Sequence, residues 1–255
     1  MGRPLTRAIV RPPCANFAQG ISTASDGPPD LRLALEQHAR YCEALKVCGL
    51  QVTCLEPDPR YPDGTFVEDT AVITYRGAIL ARPGAPSRAG EVAGIEAELR
   101  RYFSDAAKIV APGTLDGGDI CQVDEHFLIG LSARTNEQGA EQLAAQLRRW
   151  NYTASILDIR SSAGLLHLKT GIAYLGDGVG LVLDGAAAPF RDAVVVAAEE
   201  SYAANCVRIN DAVLLAAGYP RVGDSLERRG YKLLLLQMSE FRKMDGGLSC
   251  LSLRF

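Results

Sequence analysis

The sequence predicts an α/β ring built from five repeated units. Three observations carry this: an apolar strand recurs five times along the 255 residues, a tight hairpin follows four of those strands, and the two chain ends together can supply the hairpin that the fifth lacks. An ordinary α+β sheet with short hairpins would use the same elements, and the repeat alone leaves that alternative open.

Each element has its own local reason. Thr6–Arg11 is apolar at its centre and reads as a strand, although Met1-Gly2-Arg3-Pro4-Leu5-Thr6 formally fits a myristoylation signal. Asp30–Cys48 reads as a helix, with Asp30 as N-cap and Gly49 just past its end. The five leading strands are Leu50–Leu55, Ala107–Ala111, Ala154–Ile159, Ala193–Ala197 and Tyr231–Gln237. Hairpins follow at 71–81, 120–130, 172–183 and 206–216, turning on Tyr75-Arg76-Gly77, Asp124-Glu125, Asp177-Gly178 and Asn210-Asp211. Helical patterns follow at Gly90–Phe103, Asn136–Trp150, Ala187–Asp192 and Arg221–Gly230; Ile95, Leu99 and Phe103 show the spacing. Leu248–Phe255 and Thr6–Arg11 would pair to complete the fifth unit.

Composition narrows the function classes. With 47% hydrophobic residues the chain can bury a real core, and no apolar run approaches a membrane span. Lys and Arg total 27 against 30 Asp and Glu, a charge of −3, which argues against a nucleic-acid binder. The reading is a soluble single domain over 1–255. Seven cysteines, an odd number without a CxxC pair, speak against a disulfide framework or structural zinc and for a reducing, cytoplasmic setting.

The unusual residues lie in the loops after the leading strands. The first loop holds Asp63, Phe66, Glu68 and Asp69, the second Asp116-Gly117-Gly118-Asp119, and the third His167. The fourth is Glu199–Asn205, and the fifth runs from Ser239 through Met244 and Asp245-Gly246-Gly247 to Cys250. Arg88 and Arg134 sit in loops after hairpins. In a ring with fivefold pseudo-symmetry these loops share one end, and converging carboxylates repel one another unless a cation joins them. A cationic substrate follows. Each residue also has an ordinary reading: Cys250 as a core thiol, His167 as a hydrogen-bonded structural histidine, Asp116–Asp119 as a turn, the other acids and arginines as solvated charges. His38 and His126 read as helix-surface and strand positions.

Seven motifs in order carry a resemblance. They are Phe66-Val67-Glu68-Asp69, Arg82-Pro83-Gly84, Leu115-Asp116-Gly117-Gly118-Asp119, Leu131–Asn136, Leu166-His167-Leu168-Lys169, Ala203-Ala204-Asn205-Cys206 and Asp245-Gly246-Gly247-Leu248-Ser249-Cys250. Over its whole length the chain resembles the dimethylarginine dimethylaminohydrolases of the guanidino-group-modifying (pentein) superfamily. The resemblance implies a five-bladed α/β propeller of ββαβ units that hydrolyses asymmetric dimethyl- and monomethyl-L-arginine to citrulline and the methylated amine. It implies Cys250 as nucleophile, His167 as general acid/base and Asp116 as the acid orienting it, a position held by Glu in some relatives. It further implies Asp69, with Glu68 beside it, at the guanidinium, Arg88 and Arg134 at the substrate carboxylate and Asp63 at the α-amino group. Phe66, Ile21 and Met244 would line the pocket, the loop near Ile21 covering it. No metal or cofactor is expected, nor any nucleic-acid or membrane partner; a homodimer stays open. Alternatives are an arginine or agmatine deiminase, an amidinotransferase, a citrulline ureidase or a non-catalytic propeller that binds a partner.

Overall fold

A computed structural model describes residues 3–104, 106–162, 164–186 and 190–255. The strands are β1 (Arg7–Val10), β2 (Gln51–Cys54), β3 (Ala71–Thr74), β4 (Gly77–Leu80), β5 (Ala107–Lys108), β6 (Ile120–Val123), β7 (His126–Leu131) and β8 (Thr153–Asp158). They continue with β9 (Ile172–Gly176), β10 (Val179–Leu183), β11 (Asp192–Val196), β12 (Val207–Ile209), β13 (Ala212–Ala216), β14 (Lys232–Leu236) and β15 (Leu253–Arg254). The helices are α1 (Leu31–Val47), α2 (Glu91–Leu99), α3 (Glu137–Arg149), α4 (Leu168–Gly171), α5 (Pro220–Arg228) and α6 (Ser239–Arg242).

Among the described residues these strands form five three-stranded sheets. In each, an antiparallel hairpin is extended by a third strand parallel to the hairpin's second strand. A parallel neighbour needs a crossover, and α1, α2, α3 and α5 supply it in four sheets. The fifth hairpin is made from the chain ends: β15 pairs antiparallel with β1, Ala8 opposite Arg254 and Ile9 opposite Leu253.

The core explains why the sheets form a ring. Its apolar side chains fall into five clusters, and each is shared by two consecutive sheets. Ile9, Ala71, Leu80, Ile95 and Leu253 join the β15-β1-β2 sheet to β3-β4-β5. Ile79, Phe127, Ile129, Leu143 and Leu147 join that sheet to β6-β7-β8. Leu128, Leu168 and Ile172 lead on to β9-β10-β11, and Leu175, Leu181, Val213 and Leu215 to β12-β13-β14. Val10, Tyr41, Leu45, Ile209 and Leu214 close the circle back to the first sheet. Burial of apolar area at roughly 25 cal/mol per Å² therefore stabilises the joints between units rather than the units alone.

Several elements differ from the expectations. The helix expected over Gly90–Phe103 stops at Leu99, because the chain then turns so that Tyr102 and Phe103 pack on Phe255. The strand expected over Ala107–Ala111 keeps two residues, since the Gln142 side-chain amide takes both the N–H and the C=O of Val110. Of the helix expected over Ala187–Asp192, residues 187–189 lie outside the described residues and Asp192 opens β11. Leu248–Phe255 is a strand only at Leu253–Arg254, so Cys250 sits on a 3-10 turn, Ser249–Leu251, and not in the sheet. His38 is buried rather than on the surface, and burial pushes its imidazole down to about 4.

One side chain ties two units together and tests this account. Asn136 caps α3 by accepting from Gly139 N at 2.8 Å, accepts from Thr114 N at 2.9 Å and donates to Pro112 O at 3.0 Å. Asn136→Ala should destabilise the protein by about 1–2 kcal/mol in chemical denaturation, more than an exposed substitution on the same helix such as Gln138→Ala.

Candidate active site

The loops between each sheet's third strand and the next hairpin converge at one end of the ring. There they enclose a pocket of about 50 Å³ lined by Ile21, Asp63, Phe66, Asp69, Arg134, His167, Met244 and Cys250, among others. Asp116 is wholly buried behind it.

The floor is built by short turns that hold side chains at fixed angles. Asp69 lies in the 3-10 turn Val67–Thr70 and accepts from Gly118 N at 2.8 Å. A Cβ on Gly118 would meet the His167 ring at 2.9 Å, so glycine lets this backbone pass beneath the imidazole. Asp116 stands just before a second 3-10 turn, Gly117–Asp119; its Oδ2 lies 3.1 Å from His167 Nε2, and its Oδ1 accepts from Gly84 N at 2.8 Å. His167 opens α4, and Thr170 Oγ1 accepts from His167 N at 3.2 Å. Asp69, Asp116 and His167 bring one potential metal-donor atom each within 4.8 Å of one another. Their hydrogen bonds to Arg88, Gly84, Gly118 and each other account for that proximity.

Cys250 is held from behind. Its N–H donates to Gly247 O at 3.2 Å, and its Sγ accepts from Gly247 N at 3.4 Å. Asn205 accepts from Ser249 N at 2.9 Å and donates to Lys169 O at 3.0 Å, which ties the fourth and third loops to the 3-10 turn Ser249–Leu251 that carries Cys250. Gly246 admits the Phe66 ring, which would lie 2.2 Å from an added Cβ.

Electrostatics set the proton positions. Burial, with Glu68 and Asp69 nearby, pushes the Cys250 thiol up to about 12. Burial opposes the imidazolium of His167, but Asp69, Asp116 and Asp119 outweigh it and raise that group to about 9. At neutral pH the site therefore holds a thiol beside an imidazolium. Burial likewise lifts Asp63, against the pull of Arg88, the Ile21 N–H and Arg134.

Two expected site residues are placed differently. Glu68 does not line the pocket: it accepts from Ser249 Oγ at 2.7 Å and pairs with Lys169 at 2.6 Å and Arg254 at 3.0 Å, facing a separate cavity of about 1280 Å³ along the ring axis. Consecutive side chains on a 3-10 turn diverge by about 120°, which lets Asp69 face the pocket while Glu68 does not. Arg88 does line the pocket, but its guanidinium is engaged by Asp69 at 2.6 Å, by Glu91 at 2.8 Å and by Phe66 O at 3.0 Å. Arg134 has no ion pair among the described residues.

The mouth is covered by the segment after Gly20. Ile21 N donates to Asp63 Oδ1 at 3.0 Å, Thr23 N to Asp245 Oδ2 at 2.6 Å and Ser22 Oγ to Lys243 O at 2.8 Å. Sequence reasoning missed Thr23, Asp245, Leu166 and Glu91. Only Glu91 left a signal, an acid three residues after Arg88 at the start of a helix.

The arginine deiminase family model matches residues 55–183. The N(G),N(G)-dimethylarginine dimethylaminohydrolase of Pseudomonas aeruginosa is 44% identical over 253 residues, 97% of this chain and 98% of that protein. A crystal structure of the Pseudomonas aeruginosa enzyme, a cysteine-to-serine variant complexed with citrulline, superposes with a TM-score of 0.95 at 42% identity, covering 99% of this chain and 100% of that one. The N-terminal domain of ArgZ, a cyanobacterial arginine dihydrolase, shares the fold at 19% identity, with a TM-score of 0.88 over 99% of this chain and 97% of its own. With five sheets of the same make-up and this identity across nearly its whole length, the chain belongs to the dimethylarginine dimethylaminohydrolase family of the pentein superfamily.

Proposed function

We propose that the chain hydrolyses asymmetric Nω-methylated L-arginines, dimethyl- and monomethyl-L-arginine, to L-citrulline and dimethylamine or methylamine. The supporting observation is the pocket in which a half-buried thiol and a raised imidazole line one wall with a carboxylate held at fixed geometry. One oxygen of Asp69 is anchored by Gly118 and the other by Arg88, and the remaining lone pairs take the substrate guanidinium N–H groups. Arg134 takes the α-carboxylate, with Arg88 beside it in a smaller share because its guanidinium is engaged. Asp63 takes the α-ammonium while still accepting from Ile21. Phe66, Ile21 and Met244 pack around the aliphatic chain.

The guanidinium cation among these carboxylates stabilises the thiolate of Cys250, whose proton passes to solvent as the substrate enters. Cys250 Sγ attacks the guanidinium carbon. His167, oriented by Asp116, gives its proton to the departing methylated nitrogen, and the C–N bond breaks to leave an S-alkylthiouronium. Neutral His167 then takes a proton from water as its oxygen attacks the same carbon; the C–S bond breaks, the hydroxyl proton of the product passes to the departing thiolate, and citrulline, the Cys250 thiol and protonated His167 remain. Cys250, His167 and Asp116 are assigned these roles on geometry and family membership.

The family-model match gives one second reading, arginine deimination. Offering dimethyl-, monomethyl- and unmethylated L-arginine, agmatine and citrulline separately decides between them. Dimethylamine release supports the proposal; ammonia from arginine with no methylated amine overturns it. The chain is read as one catalytic domain over 1–255 acting in the cytoplasm, where its seven unpaired thiols persist. Among the described residues no helix is long and apolar enough to cross a membrane.

Two outcomes are expected. Iodoacetamide should alkylate Cys250 slowly at pH 7 and faster as pH rises toward about 12, and a non-reactive guanidine should move that midpoint down. An unmoved midpoint would remove substrate-assisted ionisation from the scheme. Because His167 must carry a proton to the leaving amine, kcat/KM should fall as pH climbs through about 9. Separately, Arg134→Gln should lower kcat/KM for amino-acid substrates about 100-fold, mainly through KM.

A further inference from the structure

We propose that Asp119 is a positioning residue that sets both ends of the pocket at once. It fixes the His167–Leu168 turn at the reacting end and the Ser132–Thr135 loop that carries Arg134 at the other. This rests on the roles given above to His167 and Arg134.

Asp119 is wholly buried at the end of the 3-10 turn Gly117–Asp119 and does not line the pocket. Its Oδ1 accepts from Leu168 N at 3.0 Å, and its Oδ2 accepts from Ser132 Oγ at 2.7 Å and Thr135 Oγ1 at 2.6 Å. The hydroxyl protons have one direction available. Ser132 Oγ already accepts from Arg134 N at 2.9 Å and Thr135 N at 3.1 Å, and Thr135 Oγ1 accepts from Asp116 N at 3.1 Å. Both O–H groups therefore point at Asp119, and three donors converge on one carboxylate. Through them it holds the backbone beside His167, beside Arg134 and beside Asp116.

The contact depends on close approach. An added Cβ at Gly130, on β7, would lie 2.9 Å from Leu168 Cβ and 3.3 Å from Asp119 Oδ1. Burial alone lifts the Asp119 acid, opposed by the His167 cation and the three donors. The other ionisable groups around His167 are Asp69, Asp116 and Cys250, with Asp63, Arg88, Arg134 and Asp245 farther along the pocket wall and Lys169 paired to Glu68. Asp119 is the one among these acids whose carboxylate itself bonds both the His167–Leu168 turn and the Arg134 loop; Asp116 reaches that loop only through its backbone N–H.

Asparagine is nearly isosteric, yet either orientation of its amide points N–H at a donor: at Leu168 N in one, at the two hydroxyls in the other. The test compares Asp119→Asn, Ser132→Ala and Thr135→Val in the full chain. Readouts are the His167 titration by NMR of ring-labelled histidine without substrate, kcat and KM for dimethylarginine, and thermal melting. In Asp119→Asn, His167 should bind its proton about tenfold more weakly; kcat should fall roughly 10- to 100-fold and KM should rise. Ser132→Ala keeps the carboxylate and the His167 arm, so it should leave the His167 midpoint in place and raise KM about tenfold. A His167 titration unchanged in Asp119→Asn, or Ser132→Ala losing kcat at constant KM, would overturn the proposal. Should Asp119→Asn fail to fold, Ser132→Ala and Thr135→Val decide alone: wild-type KM in both refutes it. Titration and melting are read without turnover, so they stand or fall independently of which guanidine is the substrate.

Discussion

The antiparallel pairing of the first strand with the last, where Arg7 N donates to Phe255 O at 2.7 Å and Phe255 N to Arg7 O at 3.0 Å, closes the ring and places everything near Cys250. The nucleophile turn ends two residues before that pairing begins. Its surroundings depend on the closure in three directions. Arg254 reaches Glu68 in the first loop, Ser252 Oγ meets Tyr41 of α1 at 2.6 Å, and Asn205 of the fourth loop holds Ser249. Without the pairing, the thiol and Asp69, 181 residues apart in sequence, would lose the strand contact that sets their loops side by side and would keep only contacts such as Ser249 Oγ to Glu68. The five shared clusters have the same logic, because each apolar face finds its partner only on the next unit.

Closing such a ring concentrates negative charge at one end. Asp63, Asp69, Asp116, Asp119 and Glu91 are all buried there, and Arg88 is placed between Asp69 and Glu91. The protons on Cys250 and His167 are the site's own answer to this charge. In the proposed scheme a guest guanidinium offers a second answer and its arrival frees the thiol to ionise, so that affinity for a cation and activation of Cys250 are one electrostatic event.

Much of this was legible beforehand. Strand, turn and hairpin patterns located four of the five hairpins to within a residue or two, because Asp124, Asp177 and Asn210 sit at positive φ where such turns require it. The loops holding Cys250, His167, Asp116, Asp69 and Asp63 were found from the repeat. What escaped was the direction of individual side chains. Nothing in Val67-Glu68-Asp69-Thr70 says that the first acid faces the ring axis and the second the pocket; the 3-10 turn decides it. Likewise, the engagement of Arg88 depends on Glu91 one helical turn away and on Asp69, and the burial of His38 on packing that a helix pattern does not encode. The shortened β5 and β15 show local alternatives, a Gln142 clamp and a 3-10 turn, competing with ladder pairing.

The alternation of Glu68 with Asp69 and of Ser249 with Cys250 makes the wall between pocket and axial cavity a single residue thick. This constrains how such a protein can diversify. A change in the floor is at the same time a change in the ion pairs along the axis, so it disturbs ring assembly together with chemistry. Of the rim residues, Ile21 and Arg134 lie outside both the axial cavity and the apolar clusters, whereas Phe66 and Met244 also pack in the cluster that closes the ring. Ile21 and Arg134 are therefore the pocket positions whose side chains can change without touching the contacts that assemble the ring.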